Sequence, residues 1–217
     1  RSVAGARVAV QGFGAVGAAA AKRLHELGAQ LVALSTIDGS VHDPDGLDVP
    51  RWLDARAEFG DACVAKASAQ QRIPRGEELL VDCDVLIPAA GQDVIDEAVA
   101  AGIRAGLVVE GANLPTTPEA RRLLATREVT VVPDFIANAG GAIAAGFAMD
   151  ARYSAFRPEP TAILRTVAER TRNNTVLVLD TAQADGVLPH QAALDLAKQR
   201  VRTAMQLRGR LPSVATA

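Results

Sequence analysis

The sequence lacks the features that mark secreted and membrane proteins. Only two of its 217 residues are cysteines, Cys63 and Cys83, and they form neither a CxxC pair nor a disulfide framework, which suits a reducing compartment. No apolar run approaches the ~20 residues of a membrane-spanning helix, and the N-terminus has no signal-like apolar region. We therefore expect a cytoplasmic protein that does not bind a membrane.

The sequence also has no surplus of positive charge. Its 23 Lys and Arg residues face 25 Asp and Glu residues, a formal net charge of −2, which argues against a nucleic-acid partner. Aromatic residues make up only 3% of the chain, but hydrophobic residues make up 49%. This aliphatic surplus suits buried parallel strands flanked by alanine-rich helices, and the length favours one domain with a sizeable core.

The most informative stretch is VAVQGFGAVG, residues 8–17. A valine-rich run precedes a G-x-G-x-x-G pattern of Gly12, Gly14 and Gly17, and an alanine-rich helical segment follows. In such a pattern the first glycine permits a tight turn, the second lets the backbone approach a pyrophosphate, and the third lets the helix pack on the sheet. The helix N-terminus then presents free N–H groups to the phosphates. Because strand and helix both flank the glycines, the pattern predicts a dinucleotide-binding βαβ unit.

Strand and helix patterns alternate along the rest of the chain. The expected fold is α/β, a doubly wound Rossmann-type and mainly parallel sheet with helices on both faces and C-terminal helices. Besides the first strand, the sequence predicts strands at 30–34, 84–88, 107–110 and 129–132, with a weak one near 63–65, and helices at 15–27, 49–58, 93–101, from 118 onwards, and at 139–153, 160–184 and 189–208. The C-terminal helical segment is assigned to 189–210, and the tail 211–217 is predicted to be disordered.

Two local signals have structural interpretations. HDPDGLD, residues 42–48, contains three aspartates but lacks the alternating ligands and distant glutamate of a calcium loop, so we predict a turn with Asp48 as a helix N-cap and no metal site. Thr117 is predicted to cap a helix with Pro118 at its first position. In contrast, GFGAVG, STID, PAAGQ, GANLP and PDFIANAGG all fall at carboxyl ends of predicted strands, where ligands bind such sheets.

Several segments, in chain order, resemble the C-terminal nucleotide-binding domain of glutamate dehydrogenases, within the glutamate/leucine/phenylalanine/valine dehydrogenase superfamily. They are GFGAVG, DPDGLD, LIPAA, VVEGANLPTTPEA, VPDFIANAGG and RVRTAMQLRG. The resemblance covers nearly the whole chain and implies NAD(P)-linked oxidative deamination of an L-amino acid to a 2-oxo acid and ammonia, and the reverse reaction. It also implies a dinucleotide fold with one reversed strand, and a full-length protein that is commonly a hexamer.

The resemblance also implies which residues bind the cofactor. The glycine turn would hold the pyrophosphate, mostly through backbone N–H groups, and Asn138 would lie near the nicotinamide and the substrate. Ordinary Asx-turn hydrogen bonding is the alternative for the two asparagines, but their position beside glycines at strand ends favours a site. The cofactor-binding residues are predicted to be Gly12, Phe13, Gly14, Ala15, Val16, Gly17, Ser35, Thr36, Ala89, Ala90, Asn113 and Asn138.

Two positions depart from the family pattern. Thr36 stands where the family commonly has an aspartate beside the adenosine ribose, and threonine tolerates either NAD or NADP. No arginine or lysine neighbours Thr36 in sequence, which favours NAD. Ala145 stands where glutamate dehydrogenases place a serine for the substrate's side-chain carboxylate, so this substrate-lining position favours a more apolar amino acid.

The resemblance places the catalytic lysines and aspartate in an N-terminal substrate domain, and no segment here matches them. Because the chain opens directly on its first strand, we expect residues 1–217 to be a dinucleotide-binding domain cut at a domain boundary. Its partners would be the missing domain and the amino-acid or 2-oxo-acid substrate. We expect cofactor binding without turnover. The alternative is a non-catalytic nucleotide sensor, which has little reason to keep PAAGQ, GANLP and NAGG together.

Overall fold

A computed structural model of the chain describes residues 2–155 and 157–210. Its strands form one seven-stranded sheet with the order β4-β3-β2-β1-β5-β6-β7. They are β1 (Arg7–Gln11), β2 (Gln30–Thr36), β3 (Gly39–His42), β4 (Arg72–Ile73), β5 (Val85–Pro88), β6 (Leu107–Val109) and β7 (Thr130–Val132). The central strand β1 pairs in parallel with both β2 and β5, which confirms the predicted doubly wound α/β architecture.

One strand of this sheet runs against the others. β3 pairs antiparallel with β2 on one side and with β4 on the other, whereas the remaining pairs are parallel. This confirms the reversed strand that the family resemblance implied. The sequence patterns did not predict β3 or β4, because both are short and β3 begins almost directly after β2.

Helices cover the sheet. They are α1 (Ala15–Glu26), α2 (Val49–Phe59), α3 (Glu97–Gly102), α4 (Pro118–Thr126), α5 (Asp134–Ala137), α6 (Gly140–Asp150), α7 (Pro160–Asp185) and α8 (Pro189–Leu207). Both predicted N-caps are confirmed, since Asp48 accepts a hydrogen bond from the Arg51 N–H and Thr117 accepts one from the Ala120 N–H. None of the helices described is both long enough and apolar enough to cross a membrane.

The apolar core lies on both faces of the sheet. Val8 and Val10 of β1 join a cluster with α1 and α2, whereas Ala9 between them joins a second cluster with α3 and α4. This division follows from the alternation of side chains along a strand. A third cluster packs α7 and α8 against α5 and β7 through residues such as Ile136 and Val178. The C-terminal helices therefore extend the β7 edge of the domain.

Two local predictions were wrong. Residues 60–66 form a short 3₁₀-helix instead of a weak strand at 63–65, because a short apolar run has no period that separates a strand from a buried helical turn. The helix predicted at 93–101 begins only at Glu97, since Asp96 caps it and Ile95 bridges to Thr116 as extended backbone. The tail 211–217 lies outside the described residues.

Candidate functional site

A cleft of about 350 Å³ opens at the carboxyl ends of β1, β2 and β5. The glycine turn lines it, and so do Asp61, from the segment after α2, and Arg75, from the segment after β4. It is lined by Gln11, Gly12, Phe13, Gly14, Ser35, Thr36, Ile37, Asp61, Arg75, Ala89, Ala90, Gly91 and Val94. The fold thus gathers the glycine turn, the end of β2 and the PAAG segment around one space, as the sequence predicts for a dinucleotide site.

Ser35 holds the glycine turn against β2. Its Oγ accepts a hydrogen bond from the Gly12 N–H at 2.9 Å, and its carbonyl accepts one from the Phe13 N–H at 2.6 Å. These two N–H groups are therefore used inside the protein. No side chain caps α1, so the N–H groups of its first turn, including those of Ala15 and Val16, remain available to an anion.

The three glycines of the turn differ in whether a side chain would fit at their position. Gly12 has φ +90°, and a Cβ there would lie 2.7 Å from the Ala90 Cβ. A Cβ on Gly17 would lie 1.8 Å from the Gly12 carbonyl oxygen. Gly14 has φ −80°, and a Cβ there would meet no atom within 4 Å. No contact with a described residue requires glycine at position 14, and the open space in front of it fits a group that approaches the backbone closely, as a pyrophosphate does.

Thr36 is the last residue of β2. Its hydroxyl donates a hydrogen bond to the Asp61 carbonyl at 2.7 Å and accepts one from the Asp38 N–H at 3.2 Å. The Asp61 carboxylate is itself paired with Arg56 at 2.5 Å. Thr36 therefore fixes the turn after β2 and adds no charge to the cleft.

Sequence reasoning missed Arg75. This residue follows β4, far from Thr36 along the chain, yet both line the same cleft. Among the described residues, no ion pair or hydrogen bond engages its guanidinium. No arginine or lysine neighbours Thr36 in sequence, as stated above, but the fold brings the Arg75 side chain into the same cleft, so the sequence neighbours alone do not decide between NAD and NADP. Neighbours in sequence do not reveal a residue that a reversed strand brings back to the cleft.

The two predicted asparagines are brought together beyond β5. The Asn138 Nδ2 donates a hydrogen bond to the Asn113 Oδ1 at 2.8 Å, and its distance to the Ala112 carbonyl is 3.4 Å. Neither asparagine lines the 350 Å³ cleft, which lies toward β2. Ala145 lies on the exposed side of α6, also outside that cleft.

A buried cluster of charged residues connects the two elements that carry the asparagine pair. The Glu110 side chain is fully buried, and its Oε2 accepts a hydrogen bond from the Asp134 N–H at 2.9 Å. The Arg121 Nε lies 3.7 Å from the Glu110 Oε1, and the Asp134 Oδ2 accepts from the Leu114 N–H at 2.8 Å. Burial raises the pKa of Glu110, and the positive charge of Arg121 opposes that rise. The cluster joins the loop after β6 to α5, the two elements that carry the asparagines.

His190 links the C-terminal helices to this cluster. It lies in the first turn of α8, and its ring meets the Phe135 ring edge to face, with centroids 5.4 Å apart. Burial lowers the pKa of His190 and the charge of Arg121 lowers it further, whereas Asp134 opposes the shift. The neutral imidazole is therefore the form that this environment favours.

Comparison with known proteins places this geometry among the dehydrogenases. The family model described as Glutamate/Leucine/Phenylalanine/Valine dehydrogenase matches residues 1–209. A NAD-specific glutamate dehydrogenase of Staphylococcus aureus (strain COL) is 45% identical over 139 residues, 64% of this chain. An NADP-specific glutamate dehydrogenase of Saccharolobus shibatae is 41% identical over 141 residues, 65% of this chain. Among solved structures, the hetero-hexameric glutamate dehydrogenase of Thermus thermophilus in its Leu-bound form superposes with a TM-score of 0.85 at 32% identity over 97% of this chain.

The relatives are much longer than the part that this chain matches. The match covers 33% of the S. aureus protein and 33% of the S. shibatae protein, and 49% of the T. thermophilus chain.

Proposed function

Because this chain belongs to the Glutamate/Leucine/Phenylalanine/Valine dehydrogenase family, we propose that it is the dinucleotide-binding domain of an amino-acid dehydrogenase. The complete protein would oxidise an L-amino acid to a 2-oxo acid and ammonia, and would run the reverse reductive amination. When bound, the nicotinamide of NAD or NADP would accept the hydride that leaves the amino acid's Cα.

The observation that carries this proposal is the open space at Gly14, the N-cap of α1, where no described atom would contact an added Cβ. The backbone there faces open space, beside first-turn N–H groups of α1 that no side chain caps. In this arrangement a pyrophosphate would receive hydrogen bonds from Ala15 and Val16 and the favourable end of the helix dipole. Gly12 and Gly17 would act differently, by letting the turn form and letting α1 pack on the sheet.

The remaining lining of the cleft supports a proposed position for each end of the cofactor. Ile37, 66% exposed directly after β2, offers an apolar surface for an adenine ring, with Thr36 beside the attached ribose. Ala89 and Ala90 follow β5, and their small side chains leave room for a cofactor to extend from the end of β2 across the carboxyl ends of the strands. The Asn113 and Asn138 pair lies at the other end of that path, where it would contact the nicotinamide.

The exposed side of α6 suits a substrate site completed by another domain. The helix has no buried residue, and Cβ atoms built on Gly141 and Gly146 meet nothing within 4 Å. We propose that the substrate domain of the full-length protein closes over this helix and supplies the acid and base. Ala145 would then face the substrate, and its methyl group donates no hydrogen bond, which favours a side chain more apolar than that of glutamate. A hexameric full-length protein is our further expectation.

A comparison of two ligands tests this proposal against the nucleotide-sensor alternative. In the proposed dehydrogenase domain Asn138 would contact the nicotinamide, so we expect NADH to bind this chain more tightly than ADP-ribose, which lacks the nicotinamide. Replacement of Asn138 with alanine should reduce the difference between the two affinities. Equal affinities for NADH and ADP-ribose in calorimetric titration would favour the sensor.

A further inference from the structure

We infer that Arg75 binds the 2′-phosphate of NADP(H), so that this chain takes the phosphorylated cofactor at least as tightly as NAD(H). The inference rests on the proposed dinucleotide site and concerns its adenosine end.

The position of Arg75 is the first support. In a dinucleotide fold the adenosine ribose lies at the carboxyl end of the second strand, and in this chain that end is Thr36. Arg75 and Thr36 line one cleft. A carboxylate at this strand end would accept hydrogen bonds from the ribose hydroxyls of NAD and would repel a 2′-phosphate. Thr36 is neutral, and its hydroxyl is already hydrogen-bonded to Asp61 and Asp38.

The turn that carries Arg75 is held in place. Glu78 is buried, and its Oε2 accepts hydrogen bonds from the Ser40 hydroxyl and from the Gly76 N–H, each at 2.7 Å. Gly76 has φ +95°, a conformation that glycine adopts most readily, and it ends the turn directly after Arg75. The backbone beside Arg75 is thus fixed to β3, whereas the guanidinium is exposed.

The charges around the cleft favour an anion beside Arg75. The charged residues of its lining are Asp61 and Arg75. Asp61 already pairs with Arg56, and no described residue pairs with Arg75. The carboxylates of Asp38, on the turn after β2, and Glu77, on the Arg75 turn, are exposed to water, which screens them, whereas that of Glu78 is buried and already accepts hydrogen bonds from Ser40 and Gly76. A guanidinium in this position can bind a phosphate with two parallel hydrogen bonds, a gain that the neutral 2′-hydroxyl of NAD does not offer.

The test uses two nucleotides that differ by the phosphate in question. We expect adenosine 2′,5′-bisphosphate to bind the chain more tightly than 5′-AMP in calorimetric titration. Arg75→Ala should weaken the bisphosphate roughly 10- to 100-fold, the effect of losing a charged hydrogen-bonding partner, and should leave 5′-AMP within about twofold. Arg75→Lys should retain part of the bisphosphate affinity, since it keeps the charge but loses the planar fork. Because no described residue depends on the Arg75 side chain, its replacement should not change the melting temperature.

A matched control separates a local contact from a change in net charge. Arg104 is also exposed, and it precedes β6, which β3, β2, β1 and β5 separate from β4 in the sheet. Arg104→Ala should leave both affinities unchanged. The inference is overturned if 5′-AMP and NADH bind but the bisphosphate binds no tighter, or if Arg75→Ala and Arg104→Ala behave alike. If neither nucleotide nor NADH binds, the proposed dinucleotide site itself fails, and the inference fails with it.

Discussion

The Nδ2 of Asn138 donates a hydrogen bond to the Oδ1 of Asn113 at 2.8 Å, which joins the end of α5 to the loop that follows β6. The same two elements are tied a second time, because the Leu114 N–H donates to the Asp134 carboxylate at 2.8 Å. The asparagines therefore form one unit on a fixed support, and each positions the other at the proposed nicotinamide end of the site.

The coupling of the two asparagines can be measured. Asn113→Ala and Asn138→Ala each remove the same hydrogen bond, so each should lower the free energy of unfolding by about 0.5–1.5 kcal/mol. The double variant should lose less than the sum, with a coupling energy of about 1 kcal/mol in urea unfolding. Strictly additive losses would show that the bond contributes nothing to stability.

Gly14 should matter more for the ligand than for folding. Gly14→Ala adds a methyl group that meets no described atom within 4 Å, so we expect at most the small loss of stability that alanine brings at the N-cap of α1, together with at least roughly tenfold weaker NADH binding. Gly17→Ala is the matched control, since its methyl group would collide with the Gly12 carbonyl oxygen and should destabilise the fold by at least about 1–3 kcal/mol. A Gly14→Ala protein with full NADH affinity would leave the glycine unexplained.

His190 should make the fold sensitive to mild acid. Its folded-state pKa lies below the ordinary value near 6.5, so its stabilising contribution is complete above about pH 6.5 and is lost as the pH falls through the lowered pKa. His190→Phe keeps a ring against Phe135 and removes the titration. We expect the wild type to lose more stability than this variant between pH 7.5 and 5.5 in urea unfolding.

The difference in stability between the wild type and His190→Phe separates the effect of the histidine from that of Glu110. The pKa of Glu110 is raised, so its contribution is largest below its ordinary pKa and falls as the pH rises, which is the opposite sign. Glu110 is present in both proteins and its effect cancels in the comparison. Parallel stability curves for the wild type and His190→Phe would contradict the proposed role of the imidazole.

Ala145 should influence substrate choice in the full-length protein. Ala145→Ser adds a hydroxyl on the exposed side of α6, and we expect it to raise kcat/KM for glutamate relative to apolar amino acids by roughly tenfold, the effect of one added hydrogen bond to a charged group. Ala142→Ser adds the same hydroxyl about one turn earlier and should have little effect. Wild-type protein that already prefers glutamate over apolar amino acids would refute the proposed preference.

The parts of the molecule that the sequence predicted are those with local signals. The turn at Gly12, the cap at Asp48 and the alternation of Val8, Ala9 and Val10 each depend on residues a few positions apart. The asparagine pair was predicted as two separate residues on two strand ends, because the chain order places both at the same edge of a parallel sheet. Their hydrogen bond to each other was not predicted.

The parts of the molecule that the sequence did not predict depend on contacts between residues that are distant along the chain. Arg75 reaches the cleft only because β3 reverses direction and Glu78 ties the Gly76 turn to Ser40, and none of these contacts leaves a pattern in sequence. The Glu110 cluster has the same character, since Arg121 and Asp134 come from different elements. The contact that we propose for cofactor discrimination was therefore the least predictable part of the site.

The most direct test of the account is a calorimetric titration of this 217-residue chain with NADH. We expect saturable binding of one NADH per chain, because the glycine turn, the free first turn of α1 and the cleft beside β2 together form one site. A titration that shows no saturable heat at any temperature tried, with the chain folded by circular dichroism, would contradict the dinucleotide site.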